Sequence, residues 1–345
     1  VKRAAILYNP IAGSGRARSM AERAHRLLAA QGYEVENLPT QRPGHAEALA
    51  RGRAATLDLL LVAGGDGSIR EALAGLGDQR SRVPVAILAC GNANVVAREL
   101  GIPRDAAGAL EVLRSGTATP IDLGRINSEL FLAMVGIGWD ARTVRHLSQL
   151  RRTRWGARWY RLWADSAYFA AGLAGVFQWP PGRIRLSCSG RPFGRAYCAA
   201  QIANFRCYGK GWSMVPDAHS SSGQLHFQAR KRAGPVFILW QLLAAMGSFR
   251  PPRFLSDPGN ETRIVVHGDR PFALQVDGDD RGCFTRVEIE IEPRAAWILT
   301  PATQSPRLGS RETASTSPRT RSRFSPRTFR TVSGEWPRPS NPFVS

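Results

Sequence analysis

Residues 57–76, LDLLLVAGGDGSIREALAGL, constrain the fold more tightly than any other stretch of the 345-residue chain. Positions 57–63 form an almost unbroken apolar run, the pattern of a strand buried on both faces of a parallel sheet. Gly64, Gly65, Asp66 and Gly67 then turn the chain sharply. Ser68 and Glu71 have the spacing of a capping box, and Ile69, Leu73 and Leu76 recur at helical intervals, so a helix is predicted from Ser68. A helix N-terminus carries unpaired N–H groups and a positive dipole end, and glycines let a ligand approach the backbone. A plain turn needs only one or two positions of positive φ, so three glycines around an acid favour phosphate binding over a simple bend.

The flanking sequence repeats this design. Residues 4–8 read as a strand, NPIAGSG at 9–15 as a glycine-bearing turn, and 16–30 as a helix. The turn lacks the third glycine of a dinucleotide fingerprint and the Gly-Lys-Ser/Thr ending of a Walker loop, so by itself it says little. A strand at 33–38, Thr40, a helix at 44–53, a strand at 83–88 ending in ACGNAN at 89–94, and helices at 95–100 and 105–115 follow. This alternation predicts an α/β, Rossmann-like parallel sheet over residues 1–122, with ligands outside the carboxyl ends of its strands, where all three candidate loops lie.

Beyond Asp122 the texture changes to alternating segments at 130–135, 183–187, 197–204, 224–228, 263–267, 272–276 and 286–292, which predict a second, antiparallel β-sandwich domain over 123–294. Residues 155–179, WGARWYRLWADSAYFAAGLAGVFQW, read as a helix mixing arginine with aromatics. That composition suits a membrane interface, and equally a helix packed on the second domain with its arginines reaching water. Residues 302–345 are rich in Ser, Pro, Thr and Arg and poor in aliphatics, which predicts a disordered basic tail. The apolar run at 235–246 is too short to span a bilayer, and the N-terminal apolar stretch too short for a signal peptide. Five cysteines with no C-x-x-C pair fit a reduced, cytoplasmic setting. The formal net charge of +20 attracts anionic surfaces. Because nearly all of it is arginine, it reflects composition rather than nucleic-acid binding, and no nucleic-acid partner is expected.

NPIAGSG at 9–15, GGDGS at 64–68 and CGNANVVARELGIP at 90–103 together resemble the diacylglycerol kinase catalytic family of lipid kinases, related to the sphingosine kinases and similar in fold to the NAD kinases. LAMVGIGWDA at 132–141, IANFRCYGKGWSMVPDA at 202–218 and QVDGDD at 275–280 are weaker echoes in the family's order. The resemblance implies ATP bound by the first domain, a lipid substrate covered by a β-sandwich, and a last strand near 295–300 returning to the first domain. It places Asn9, Gly13, Ser14, Gly15 and Thr40 beside the nucleotide. Gly64, Gly65, Asp66, Gly67 and Ser68 would hold the phosphates, with Asp66 on Mg²⁺, and Gly91 and Asn92 belong to the third loop, Asn92 standing where the family has a phosphate-contacting Thr. Asp279 takes the place of the family's Glu, the proposed base for the lipid hydroxyl, and Asp277 stands beside it. Two residues apart, these acids share a side on a strand or diverge in a glycine turn; an acidic hairpin turn with no catalytic role is the reading without the family.

Several positions depart from the family. Asp279 is one methylene shorter than Glu, Asn92 replaces Thr, Ser68 replaces Thr, and Ala89 stands where Pro is usual. An acidic Asp-Gly-x-x-Asp metal loop reads Ser222, Gly223, Gln224, Leu225, His226, so the structural Mg²⁺ of many bacterial members is expected to be lost. His219 and His226 lack a third ligand, which argues against a transition-metal site. The implied activity is ATP- and Mg²⁺-dependent phosphorylation of diacylglycerol or a related lipid alcohol, by an enzyme peripheral to the inner face of the cell membrane, with a homodimer among the assembly states allowed. The rival readings are a nucleotide-binding member that has lost activity and, ranked below it for want of an Asn-Glu pair to grip a dinucleotide ribose, an NAD kinase.

Overall fold

The computed structural model describes residues 1–153, 182–207, 213–232, 234 and 252–302. The aromatic segment at 155–179, the apolar run at 235–246 and the basic tail from 303 onward lie outside the described residues.

Four parallel strands build the first lobe: β1 (Lys2–Tyr8), β2 (Tyr33–Pro39), β3 (Leu59–Gly64) and β4 (Val85–Ala89), in the order β4-β3-β1-β2. β3 and β4 are buried along their whole length, because the apolar run offers a hydrophobic side chain to both faces. Leu60 and Val62 pack against α2 (His45–Arg51) and α3 (Asp66–Leu76) through Ala46, Ala50, Ile69 and Leu73. Leu59 and Leu61 meet α1 (Arg16–Ala30) and α5 (Ala106–Ser115) through Met20, Ala24, Leu28 and Leu113. Each fully buried Leu or Ile contributes about 1.5–3 kcal/mol of burial energy, so this two-sided packing fixes where the loops emerge.

α3 begins at Asp66 rather than at Ser68, and the capping box does not form. Its N-cap is Gly65, with no side-chain cap. Glu71 faces α2 instead, where its carboxylate accepts the N–H groups of Gly44 at 2.9 Å and Ala46 at 3.3 Å. Two unpaired donors at the start of a neighbouring helix thus outcompete the local pairing.

The second lobe is antiparallel and its strands join the same hydrogen-bonded network, giving fourteen strands among the described residues. β5 (Thr117–Ile126), β6 (Glu129–Phe131) and β7 (Met134–Ile137) precede α6 (Trp139–Arg152). β8 (Ile184–Cys188), β9 (Arg191–Tyr197), β10 (Ala199–Ala203), β11 (Leu225–Arg230), β12 (Ser256–Glu261), β13 (Arg263–Val276) and β14 (Asp279–Thr300) follow. A register shift between His267 and Phe272 splits β13, so that its first half pairs with β8 and its last residues with β7. β14 pairs with β13 and β5 and reaches β4 in parallel through Ile298 opposite Val85, tying the lobes together. β12, SDPGNE, was not anticipated: it is an edge strand, where Pro258 and Gly259 cost no central ladder bond and leave no alternation to read. Among the described residues no helix is long and apolar enough to cross a membrane.

Candidate active site

The turns after β1, β3 and β4 lock together at the carboxyl edge. Asn9 N–H donates to Ala63 O at 3.2 Å and Cys90 N–H to Gly64 O at 2.9 Å. Arg16 Nη2 donates to Ala89 O at 3.2 Å. A β-carbon on Gly13 would lie 2.9 Å from Cys90 O, and one on Gly91 would lie 2.6 Å from Gly65 Cα, so glycine is needed for the turns to touch. Gly13, Ser14 and Gly15 all have positive φ, the left-handed region that favours glycine at the first and last of them. Asp66 Oδ1 accepts Val96 N–H at 3.0 Å, at the start of α4 (Val95–Glu99). Its Oδ2 takes no hydrogen bond among the described residues, which suits a carboxylate able to face a cation. With the uncapped N-terminus of α3 beside it, the rim fits a polyphosphate and its metal ion. Thr40 N–H donates to Tyr8 O at 2.9 Å, which sets Thr40 at the same edge. Asn92 is exposed, whereas Asn94, buried and in the left-handed region, clasps the third turn by bonding both Gly91 N–H and Gly91 O. Burial pushes the Cys90 thiol up, so it stays protonated beside the rim.

The acidic bend reaches this rim from the second lobe. Asp277 and Gly278, at φ 50° and 85°, make a two-residue hairpin between Val276 and Asp279. The two acids therefore diverge. Asp277 turns inward, and its carboxylate accepts N–H groups of Leu132 (2.8 Å), Ala133 (2.8 Å) and Met134 (3.1 Å). Burial raises its affinity for a proton, opposed by the Arg70 guanidinium and those amides. Asp277 is a clamp that holds the hairpin, not a group facing the cleft. Asp279 points to the first lobe, 3.0 Å from Arg70 Nη2 on α3. Arg70 also donates to Glu129 (3.2 Å), which Arg281 grips through two nitrogens. Asp280 is held by Arg145 of α6 at 3.1 Å.

Behind the hairpin runs a buried polar row. Gln228, Gln201, Gly136 and Gln275 are cross-strand neighbours on β11, β10, β7 and β13. A β-carbon on Gly136 would collide with Asp140 Oδ2, so glycine makes room for that carboxylate. Gln275 bridges, donating to Asp140 Oδ2 at 2.9 Å and accepting Gly278 N–H at 2.8 Å. Burial pushes the Asp140 carboxyl up to about 6, against the opposing pull of Gln275 and Arg230. An acid raised in the folded state binds more protons there than when unfolded, so stability falls as pH rises from about 4 to about 6. Asp140→Asn keeps the acceptor for Gln275 and removes the titration. Relative to the natural chain it is expected to gain about 2–3 kcal/mol between pH 4 and pH 7, read by urea denaturation at each pH; parallel profiles would refute the assignment.

Residues 3–126 match the family model of the diacylglycerol kinase catalytic domain, and residues 133–300 match that of the YegS C-terminal NAD kinase beta sandwich-like domain. The chain belongs to the diacylglycerol kinase catalytic-domain family. A diacylglycerol kinase of Bacillus subtilis (strain 168) is 26% identical over 286 residues, 82% of this chain and 91% of that protein. One from Staphylococcus epidermidis is 33% identical over 138 residues, which span 40% of this chain and 44% of that one. A crystal structure of a diacylglycerol kinase from Bacillus anthracis str. Sterne, 18% identical, superposes with a TM-score of 0.65 over 87% of this chain and 97% of its own, a likeness of fold. Membership of the family supports a kinase.

Of the residues singled out in the sequence, Asn9, Gly13, Ser14, Gly15, Gly64, Gly65, Gly91 and Asn92 lie on or at the edge of the three interlocked turns, Asp66, Gly67 and Ser68 open α3, and Thr40 follows the β2 end beside them. Asp279 faces that edge through Arg70, and Asp277 does not. Sequence reasoning missed Arg70, Asn94, Glu129 and Gln275. Arg70 had a usable signal: four residues after Asp66, it shares a helix face with it. Glu129 is defined by Arg70 and Arg281, 59 and 152 residues away, and Gln275 by Asp140, 135 residues away, as well as by Gly278 of its own hairpin, so local pattern does not mark either.

Proposed function

We propose that this chain transfers the γ-phosphoryl group of ATP to the hydroxyl of diacylglycerol or a related lipid alcohol, with Mg²⁺ as cofactor. Family membership supports this reading, and one observation carries it. Asp279, borne on the second lobe, lies 3.0 Å from a side chain one turn beyond Asp66 on the helix that leaves the glycine turn. Phosphoryl transfer to an alcohol asks for backbone N–H groups around the phosphates and a carboxylate within reach of the attacking hydroxyl. The turns after β1, β3 and β4 offer the first and Asp279 the second. Bound Mg²⁺ would neutralise charge on the phosphate oxygens, and Asp66 is the residue to hold it. Asp277 keeps the hairpin in place. A lipid acceptor implies peripheral contact with a membrane surface at the cytoplasmic face, which the net charge of +20 favours where headgroups are acidic.

Radiolabelled ATP offered with a panel of micellar lipid alcohols tests the activity, and absence of transfer to any lipid with ATP binding intact would defeat it. Asp279→Ala is expected to lower kcat by about 10²–10⁴-fold without weakening ATP binding; equal loss of both would remove Asp279 from the role of base. A second reading, nucleotide binding without transfer, is favoured by one feature: Asp279 is already bonded to Arg70 and Arg281 and is a methylene shorter than the family's Glu. Nucleotide binding without turnover, unrelieved by Asp279→Glu, is its signature.

A further inference from the structure

Arg70 sits where a nucleotide-responsive cation would have to sit. It lies on α3 four residues after Asp66, so the two share a helix face one turn apart, and helical side chains lean toward the helix N-terminus, the end that carries the glycine turn. Its side chain is only 14% exposed, and it spends its donors on two carboxylates of the other lobe, Asp279 at 3.0 Å and Glu129 at 3.2 Å. These two attachments are unequal. Glu129 is gripped by Arg281 through Nε and Nη2 at 2.5–3.0 Å and keeps that partner if Arg70 leaves. Asp279, whose side chain is 53% exposed, has beyond Arg70 only a 3.4 Å contact with Arg281 among the described residues. Asp279 and Glu129 share the two cations Arg70 and Arg281, which the Asp277 carboxylate also feels, so withdrawing Arg70 uncovers negative charge, most of it on the exposed Asp279.

We infer that Arg70 is the γ-phosphate-sensing cation of this site, and that its ion pair with Asp279 is the resting setting of a switch that the triphosphate opens. The inference rests on the function proposed above. A terminal phosphate carries more charge than a carboxylate and accepts a guanidinium in two-pronged fashion, so it competes for Arg70 from the direction of the glycine turn. With Arg70 drawn onto the phosphate, Asp279 is released. The lipid hydroxyl then gives its proton to Asp279, its oxygen bonds the γ-phosphorus, and the bond to the β-phosphate oxygen breaks, with ADP leaving on that electron pair. Until a triphosphate is bound the base stays occupied, which holds the lipid hydroxyl unreacted and makes nucleotide binding the first productive step.

Calorimetric titration of the full chain with Mg²⁺ and either a non-hydrolysable ATP analogue or ADP separates this role from that of a strut between the lobes. Arg70→Met is expected to weaken the triphosphate by about tenfold to a hundredfold and leave ADP within about twofold, with Arg70→Lys recovering part of the difference. Should Arg70→Met not fold, Arg70→Lys and Arg70→Gln are compared by the same ratio. An unchanged preference for triphosphate over diphosphate, or equal loss of both ligands, overturns the switch and leaves the kinase reading intact. A natural chain that binds neither nucleotide overturns the reading of the site and the switch with it.

Discussion

Replacing Asp66 with alanine is expected to abolish phosphoryl transfer, lowering kcat by at least about 10³-fold in the radiolabelled lipid assay. Two losses combine. The carboxylate oxygen proposed to face the cation disappears from the start of α3, and Val96 N–H loses its acceptor, which removes one of the bonds that join the turns after β3 and β4. The second loss costs about 1 kcal/mol of stability, comparable to a missing helix cap. Asp66→Asn separates the two, because an amide oxygen still accepts Val96 N–H while the negative charge is gone. Turnover should therefore fall nearly as far in Asp66→Asn with the unfolding midpoint unmoved. A variant that keeps near-natural turnover would sink the assignment of Asp66 to the metal.

Asp277→Ala is expected to be the most destabilising single change in the second lobe, by about 3–5 kcal/mol in urea denaturation. Three N–H groups, of Leu132, Ala133 and Met134, lose one charged acceptor in a place where water does not replace it. The hairpin also loses its anchor, so Asp279 drifts and activity falls with stability. Asp279→Asn, at an exposed ion pair, should cost no more than about 1 kcal/mol and still lower turnover. Neighbouring acids of the same type thus fail differently, one by unfolding and one by loss of chemistry. Comparable destabilisation of the two variants would contradict the divergent turn.

The amino-acid sequence by itself determined the parallel sheet and the glycine-bearing turns at its carboxyl edge. Those depend on local physics: an apolar run long enough for a strand buried on both faces, and glycines where N–H groups must be exposed or turns must touch, as at Gly13, Gly65 and Gly91. It also determined the helix over Ala106–Ser115, whose N-cap Asp105 accepts Gly108 N–H at 2.8 Å. Wherever a side chain chose between a local and a distant partner, local pattern failed. Glu71 caps α2 rather than its own helix, and Asp277 turns to the backbone between β6 and β7 rather than the cleft. The edge strand β12, SDPGNE, carries no apolar alternation because none of its side chains is a large hydrophobe and only Ser256 is buried. Only the tertiary structure decided that Asp279 meets Arg70, 209 residues earlier in the chain. The reason is physical: the energy of an ion pair depends on separation in space, and β14 must run back from the second lobe to β4 before that separation exists.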